Sequence, residues 1–135
     1  MPRIRVKKSG PLKGTLKIDG AKNAVLPIIA ATILARGKCT LKSVPSLRDV
    51  HVISDLLAHL GANVNYKDGC LEIDTSSINT YEAPYELVKK MRASFVVMGP
   101  LLAIFNRTKI SMPGGCAIGT RPIDLHLKGF KALGA

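Results

Sequence analysis

The stretch Pro113-Gly114-Gly115-Cys116-Ala117-Ile118-Gly119-Thr120-Arg121-Pro122 sets a thiol and a cation among glycines. It reads as a flexible loop that carries Cys116 and then runs into a helix. Pro122 suits the first helical position, because the N–H that proline lacks is unpaired there anyway. The free N–H groups of that helix start, and the positive end of its dipole, then face the loop. Arg121 adds a fixed positive charge. Such surroundings favour both an anionic substrate and a thiolate. Cys116 therefore reads as a functional thiol. Cys39 and Cys70 lie in the strand-like runs CTLKSV and GCLEID and read as small buried hydrophobes. Three widely spaced cysteines form neither a disulfide framework nor a zinc pattern.

Two further positions invite chemistry. Lys22 follows a strand-like run and opens a helix, where a cation can meet a phosphate that the helix N-terminus also attracts. A solvated Lys22 beside a helix-capping Asn23 fits the spacing equally well. Arg92 stands early in the otherwise apolar helix MRASFVVMGPLLA. A buried, unpaired guanidinium is very costly, so Arg92 must face an anion, a solvent cleft or a structural carboxylate.

The elements that position these residues occur twice. Gly14-Thr-Leu-Lys-Ile-Asp19 resembles Gly69-Cys-Leu-Glu-Ile-Asp74, and Thr40-Leu-Lys-Ser-Val-Pro45 matches Thr108-Lys-Ile-Ser-Met-Pro113. Arg48 falls on Arg121, and Leu60-Gly61-Ala62 on Leu133-Gly134-Ala135. The second copy gains loop residues after Asp74 and between Pro113 and Arg121, and Cys116 is among the latter. Arg48, the counterpart of Arg121, reads as structural.

One unit predicts a strand over residues 15–19, a helix over 22–34 with Gly37 as its C-terminal cap, and a strand over 39–44. A helix over 47–60 follows, with Ser46 as N-cap and Gly61 past its end, since Val50, Ile53, Leu56, Leu57 and Leu60 keep helical spacing. A strand over 63–66 turns at Lys67-Asp68-Gly69 into the next unit. The order strand, helix, strand, helix, strand, strand predicts an α/β fold with helices laid on a sheet. The repeats span about 14–68 and 69–135, and the second stops where the first continues into a strand. An N-terminal portion of a longer protein is the expectation.

Composition narrows the classes. A chain of 135 residues, 47% hydrophobic, supports one domain with a real core. The apolar runs 24–35 and 95–105 fall short of the ~20 residues a membrane span needs and are broken by proline or glycine. MPRIRVKK carries no apolar signal-peptide core, so a soluble cytoplasmic protein is expected. The net charge is +11, yet the basic residues are scattered, aromatics are only 4% and tryptophan is absent. That argues against nucleic acid as the partner. A multiply anionic small molecule, or an acidic remainder of the protein, explains the charge better.

Several strings coincide with one family: Asp19-Gly20-Ala21-Lys22-Asn23-Ala24, Ala83-Pro84-Tyr85-Glu86-Leu87-Val88, Lys90-Met91-Arg92-Ala93-Ser94, and the Cys116 loop running on through Arg121-Pro122-Ile123-Asp124-Leu125-His126. Over essentially its whole length the chain resembles the N-terminal part of the UDP-N-acetylglucosamine-dependent enolpyruvyl transferases. The sister family acting on shikimate phosphate shares the repeat, but carries Ser-Lys-Ser in place of Ala21-Lys22-Asn23 and lacks the cysteine loop.

The resemblance implies an inside-out α/β barrel type of fold, two domains of three such repeats each, with the active site between them. This chain then holds an incomplete first part. It implies transfer of an enolpyruvyl group from phosphoenolpyruvate to the 3-hydroxyl of UDP-N-acetylglucosamine, without metal or organic cofactor. By the same resemblance Cys116 is the general acid and the target of fosfomycin, and Lys22 and Asn23 bind phosphoenolpyruvate. Arg92, Arg121, Pro122, Ile123, Asp124 and Leu125 bind the UDP-sugar, and His126 orders the loop. A plain surface histidine is the other reading of His126. Val96 departs from the tryptophan common in the family. The rival function is a non-catalytic, basic module that reuses the fold to bind anions or nucleic acid.

Overall fold

The computed structural model describes residues 3–89, 91–111 and 123–135, with Arg92 described by its backbone alone. The first long helix, α1 (Lys22–Ala35), forms where the sequence KNAVLPIIAATILA sets Val25, Leu26, Ile29, Ala30 and Ile33 on one buried stripe. Its chain leaves the helix through Arg36 in the left-handed region, at φ 48°. Arg36, not Gly37, thus takes the terminating conformation. Gly37 is used otherwise: its N–H donates to the Thr75 hydroxyl oxygen at 3.1 Å. The Thr75 hydroxyl lies 3.0 Å from the Thr32 carbonyl it donates to. Buried Thr75 thereby ties the end of α1 to the strand that precedes it.

Strand β1 (Lys38–Leu41), helix α2 (Arg48–His59) and strand β2 (Asn63–Lys67) complete the first unit, and strand β3 (Cys70–Asp74) opens the second. The sheet order is β1-β3-β2, antiparallel throughout, with Cys39 opposite Ile73 and Val64 opposite Ile73. The hairpin between β2 and β3 turns on Asp68 and Gly69, both at positive φ (48° and 76°). That is the backbone a two-residue hairpin requires, and it explains the Asp-Gly pair. Leu71 and Ile73 point inward and meet Val50, Ile53, Leu56 and Leu57 of α2 in one core with α1.

After β3 the second unit continues through β4 (Glu82–Ala83), α3 (Tyr85–Val88), a 3-10 turn Arg92–Val97, α4 (Met98–Phe105), β5 (Lys109–Ile110) and α5 (Asp124–Ala132). Strands β4 and β5 pair in parallel. Helix α1 packs against both the 3-10 turn and α4, so the two units share a core.

Several expectations are corrected. The strand over residues 15–19 is not formed. Leu16 and Ile18 are each 85% exposed, and both flanks of β3, the strand this segment resembles, are occupied by β1 and β2. A strand needs a partner, and alternation alone does not supply one. Strand β1 ends at Leu41 rather than at 44. Helix α2 is preceded by Leu47 without a side-chain cap; Ser46 Oγ lies 3.4 Å from His51 Nε2 instead. The run MRASFVVMGPLLA is not one helix but a 3-10 turn followed by α4. Pro100 sits in the first turn of α4, where the missing N–H costs nothing. Cys39 and Cys70 are half-buried rather than buried.

Candidate functional site

The start of α1 is open. Ala21 precedes it in extended conformation, its carbonyl accepts the N–H of Ala24 at 3.1 Å and of Val25 at 3.0 Å, and no side chain caps the helix. Asn23 therefore does not serve as a cap, and it is exposed. Further along, Pro27 has no N–H to offer the Asn23 carbonyl, so the helical partner of that carbonyl is missing. Lys22 is half-exposed and forms an ion pair with Asp49 in the first turn of α2. It is neither simply solvated nor without a counter-charge.

The fold holds these two helix starts together. A methyl group built on Gly20 would come within 2.2 Å of the Ser43 carbonyl oxygen and 3.2 Å of Pro45 Cδ. Only glycine allows the segment entering α1 to run this close to the segment entering α2. Val44, between Ser43 and Pro45, is buried; its N–H donates to the Gly69 carbonyl at 2.8 Å and its carbonyl accepts the Tyr66 hydroxyl at 3.0 Å. The β2–β3 hairpin thus fixes the approach to α2, and through Gly20 the approach to α1.

Arg92 opens the 3-10 turn, after Met91 in extended conformation at φ −149°. Within that turn the Ser94 hydroxyl is fully buried and finds no hydrogen-bond partner among the described residues. Val96 is 38% exposed and stands outside the core. Phe95 is buried, and the His126 ring stands edge-on to it at 5.6 Å between centroids and 78° between planes. Phe130 Cζ lies 3.7 Å from where a methyl group on Gly99 would stand. Helix α5 is thereby seated on the 3-10 turn and α4 through two aromatic side chains.

Helix α5 begins at Asp124, with Ile123 before it. Ile123 is half-buried, while Asp124, Leu125 and His126 are exposed and no residue of α5 is buried. Asp124 lies in the first turn, where its charge complements the helix dipole. Cys116, Arg121 and Pro122 lie outside the described residues, as does the expected helix start at Pro122. Arg48 is exposed at the first position of α2. Among the described residues no cluster of three or more His, Cys, Asp or Glu side chains is placed to hold a metal ion, and no helix is long and apolar enough to cross a membrane. Sequence reasoning missed Asp49 and Phe95. Asp49 signalled only a favourable helix start, and Phe95 only a core aromatic.

With this geometry in hand, the family model described as EPSP synthase (3-phosphoshikimate 1-carboxyvinyltransferase) matches residues 6–135. The chain belongs to the EPSP synthase family of enolpyruvyl transferases.

Within this family the chain is 62% identical over 130 residues to the UDP-N-acetylglucosamine 1-carboxyvinyltransferase 1 of Caldanaerobacter subterraneus subsp. tengcongensis, covering 96% of this chain and 31% of the relative. It is 58% identical over 136 aligned positions to the UDP-N-acetylglucosamine 1-carboxyvinyltransferase of Finegoldia magna, covering 100% of this chain and 32% of the relative. The chain spans about a third of the length of the curated relatives it matches. Among solved structures it is similar to the enolpyruvyl transferase NikO of Streptomyces tendae, with a TM-score of 0.63 and 22% identity over 69% of this chain and 22% of that one. That likeness establishes the incomplete enolpyruvyl transferase α/β fold.

Proposed function

We propose that this chain is part of an enzyme that moves the enolpyruvyl group of phosphoenolpyruvate to the 3-hydroxyl of UDP-N-acetylglucosamine, releasing phosphate. The step opens peptidoglycan synthesis and takes place in the cytoplasm. Residues 14–68 and 69–135 are then two repeats of its first domain, the second incomplete. The observation that carries this reading is 52–62% identity, over essentially the whole chain, to relatives bearing that activity in their names. The strings Ala21-Lys22-Asn23 and Pro113-Gly114-Gly115-Cys116 favour this acceptor over shikimate phosphate.

The resemblance to this family supplies the chemistry. The sugar oxygen attacks C2 of phosphoenolpyruvate, and the electron pair of the double bond takes a proton onto the methylene carbon. Cys116 supplies that proton as general acid. Because the transferred group is again an enol ether, a proton has to leave that carbon as the C2–phosphate oxygen bond breaks. Lys22 and Asn23 hold phosphoenolpyruvate at the open start of α1, where N–H groups and the helix dipole add to the ammonium. Arg92 and residues 121–125 hold the UDP-sugar, with His126 ordering the loop between. The family's other phosphate-binding arginines and its carboxylate for the sugar hydroxyl belong to the remainder of such an enzyme.

The test is phosphate release from the two substrates together. The full-length protein carrying this chain is expected to release phosphate only when both are present, while the 135-residue chain alone releases almost none. Fosfomycin is expected to alkylate Cys116 in the full-length protein, more readily with UDP-N-acetylglucosamine present. Absence of substrate-dependent release by the full-length protein overturns the reading. Robust release by the isolated chain overturns its dependence on a remainder.

A further inference from the structure

Resting on the functional reading above, we propose that Asp49 is a positioning residue for Lys22, which sets the ammonium in place before phosphoenolpyruvate arrives. Four observations carry this. Lys22 and Asp49 form an ion pair between the first turn of α1 and the first turn of α2. The Asp49 side chain is 27% exposed and that of Lys22 is 50% exposed, so the carboxylate is the sheltered partner and the ammonium keeps an open side. Gly20 lies so close to Ser43 and Pro45 that the two helix starts cannot slide apart without losing that contact. The Ser43–Pro45 segment is itself clamped at Val44 by Gly69 and Tyr66. Asp49 is thus presented to Lys22 by a rigid junction rather than by a mobile side of the molecule.

A carboxylate beside an anion-binding lysine works against the anion by direct repulsion. Its benefit lies elsewhere. Lysine has a flexible four-carbon stem whose freedom must be given up when a phosphate is gripped. If the stem is already held on Asp49, that loss is not incurred on binding, and the remaining ammonium protons face the substrate. The bare helix start beside it, with no side-chain cap, leaves N–H groups to share the incoming negative charge.

The two effects predict opposite results for Asp49→Asn, which makes the experiment decisive. In the full-length protein, steady-state phosphate release is measured for the unmodified form, Asp49→Asn and Asp49→Glu, varying each substrate in turn. Asp49→Asn is expected to raise KM for phosphoenolpyruvate about five-fold, the size of one side chain losing its preorganisation, while KM for UDP-N-acetylglucosamine stays put. Asp49→Glu, which keeps the charge opposite Lys22, is expected to restore most of the loss. An unchanged or lowered KM for phosphoenolpyruvate in Asp49→Asn overturns the proposal, and so does an equal rise for both substrates, which would mark a purely structural role. If the unmodified protein releases no phosphate, the functional reading fails and takes this proposal with it. Normal release with an unmoved KM defeats this proposal alone.

Discussion

His126 stands edge-on against Phe95, joining α5 to the turn that begins at Arg92. No residue of α5 is buried, and among the described residues this aromatic contact and the approach of Phe130 to Gly99 tie it to the rest of the fold. Two segments proposed to bind the UDP-sugar are therefore linked by a histidine and a phenylalanine. His126→Ala in the full-length protein is expected to weaken UDP-N-acetylglucosamine binding by about 2–10-fold, in line with ~0.5–1.5 kcal/mol for an aromatic pair. Calorimetric titration checks this. The melting temperature should fall by no more than a few degrees, the shift that a contact of this size produces.

Gly20 has no room for a side chain. Alanine there must displace the Ser43 carbonyl, a backbone atom held by its clamped neighbour Val44. Gly20→Ala is expected to cost ~1–3 kcal/mol, as overpacking does, and to pull Lys22 away from Asp49. Denaturant unfolding should show a lowered midpoint at unchanged slope, and phosphate release should fall with it. A variant as stable as the parent would mean that the junction is loose.

Thr75 offers a cleaner stability test. Its buried hydroxyl takes the Gly37 N–H and reaches the Thr32 carbonyl. Thr75→Val keeps the shape and strands these groups, at an expected cost of ~1–3 kcal/mol. Thr75→Ser keeps the hydroxyl and is expected to lose less. A Thr75→Val variant as stable as the parent, with Thr75→Ser the weaker of the two, would assign the effect to packing rather than hydrogen bonding.

How much of this was legible beforehand depends on how local each feature is. The stripe Val25, Leu26, Ile29, Ala30 and Ile33 reads as a helix because its period is written in consecutive residues. The Asp68-Gly69 turn reads because only a few residue types accept positive φ. Leu16 and Ile18 misled, since alternation marks a strand's two faces but not its partner. Residues 92–97 misled for another reason. From residue 95 to residue 105 the run is apolar on every side, and no period separates the 3-10 turn from the helix that follows. The candidate site divides the same way. Lys22 and Asn23 were found at the start of a helix, as their position implied. The Lys22–Asp49 pair was invisible, because it exists only once α1 and α2 are packed.

Acid should reveal Asp74. The Ser76 hydroxyl donates to its carboxylate at 2.6 Å and the Ser76 N–H at 3.0 Å, and these bonds, hydroxyl first, hold it below the usual carboxylate range. A carboxyl lowered in the folded state adds stability above its unfolded value near 3.8, and loses it as pH falls through the lower folded value. Asp74→Asn is therefore expected to be less stable than the parent at neutral pH and to approach it in strong acid. Thermal melts between about pH 6 and pH 2 test this across the carboxylate titration range. A difference independent of pH would contradict the assignment.

The account turns on the thiol of Cys116 as the source of the proton that phosphoenolpyruvate receives. The most direct measurement is phosphate release by the full-length protein with both substrates, comparing Cys116→Ser with the unmodified form. Loss of general acid catalysis is expected to lower turnover by at least ~100-fold, with UDP-N-acetylglucosamine binding retained. Turnover within a few-fold of the unmodified enzyme would contradict the account.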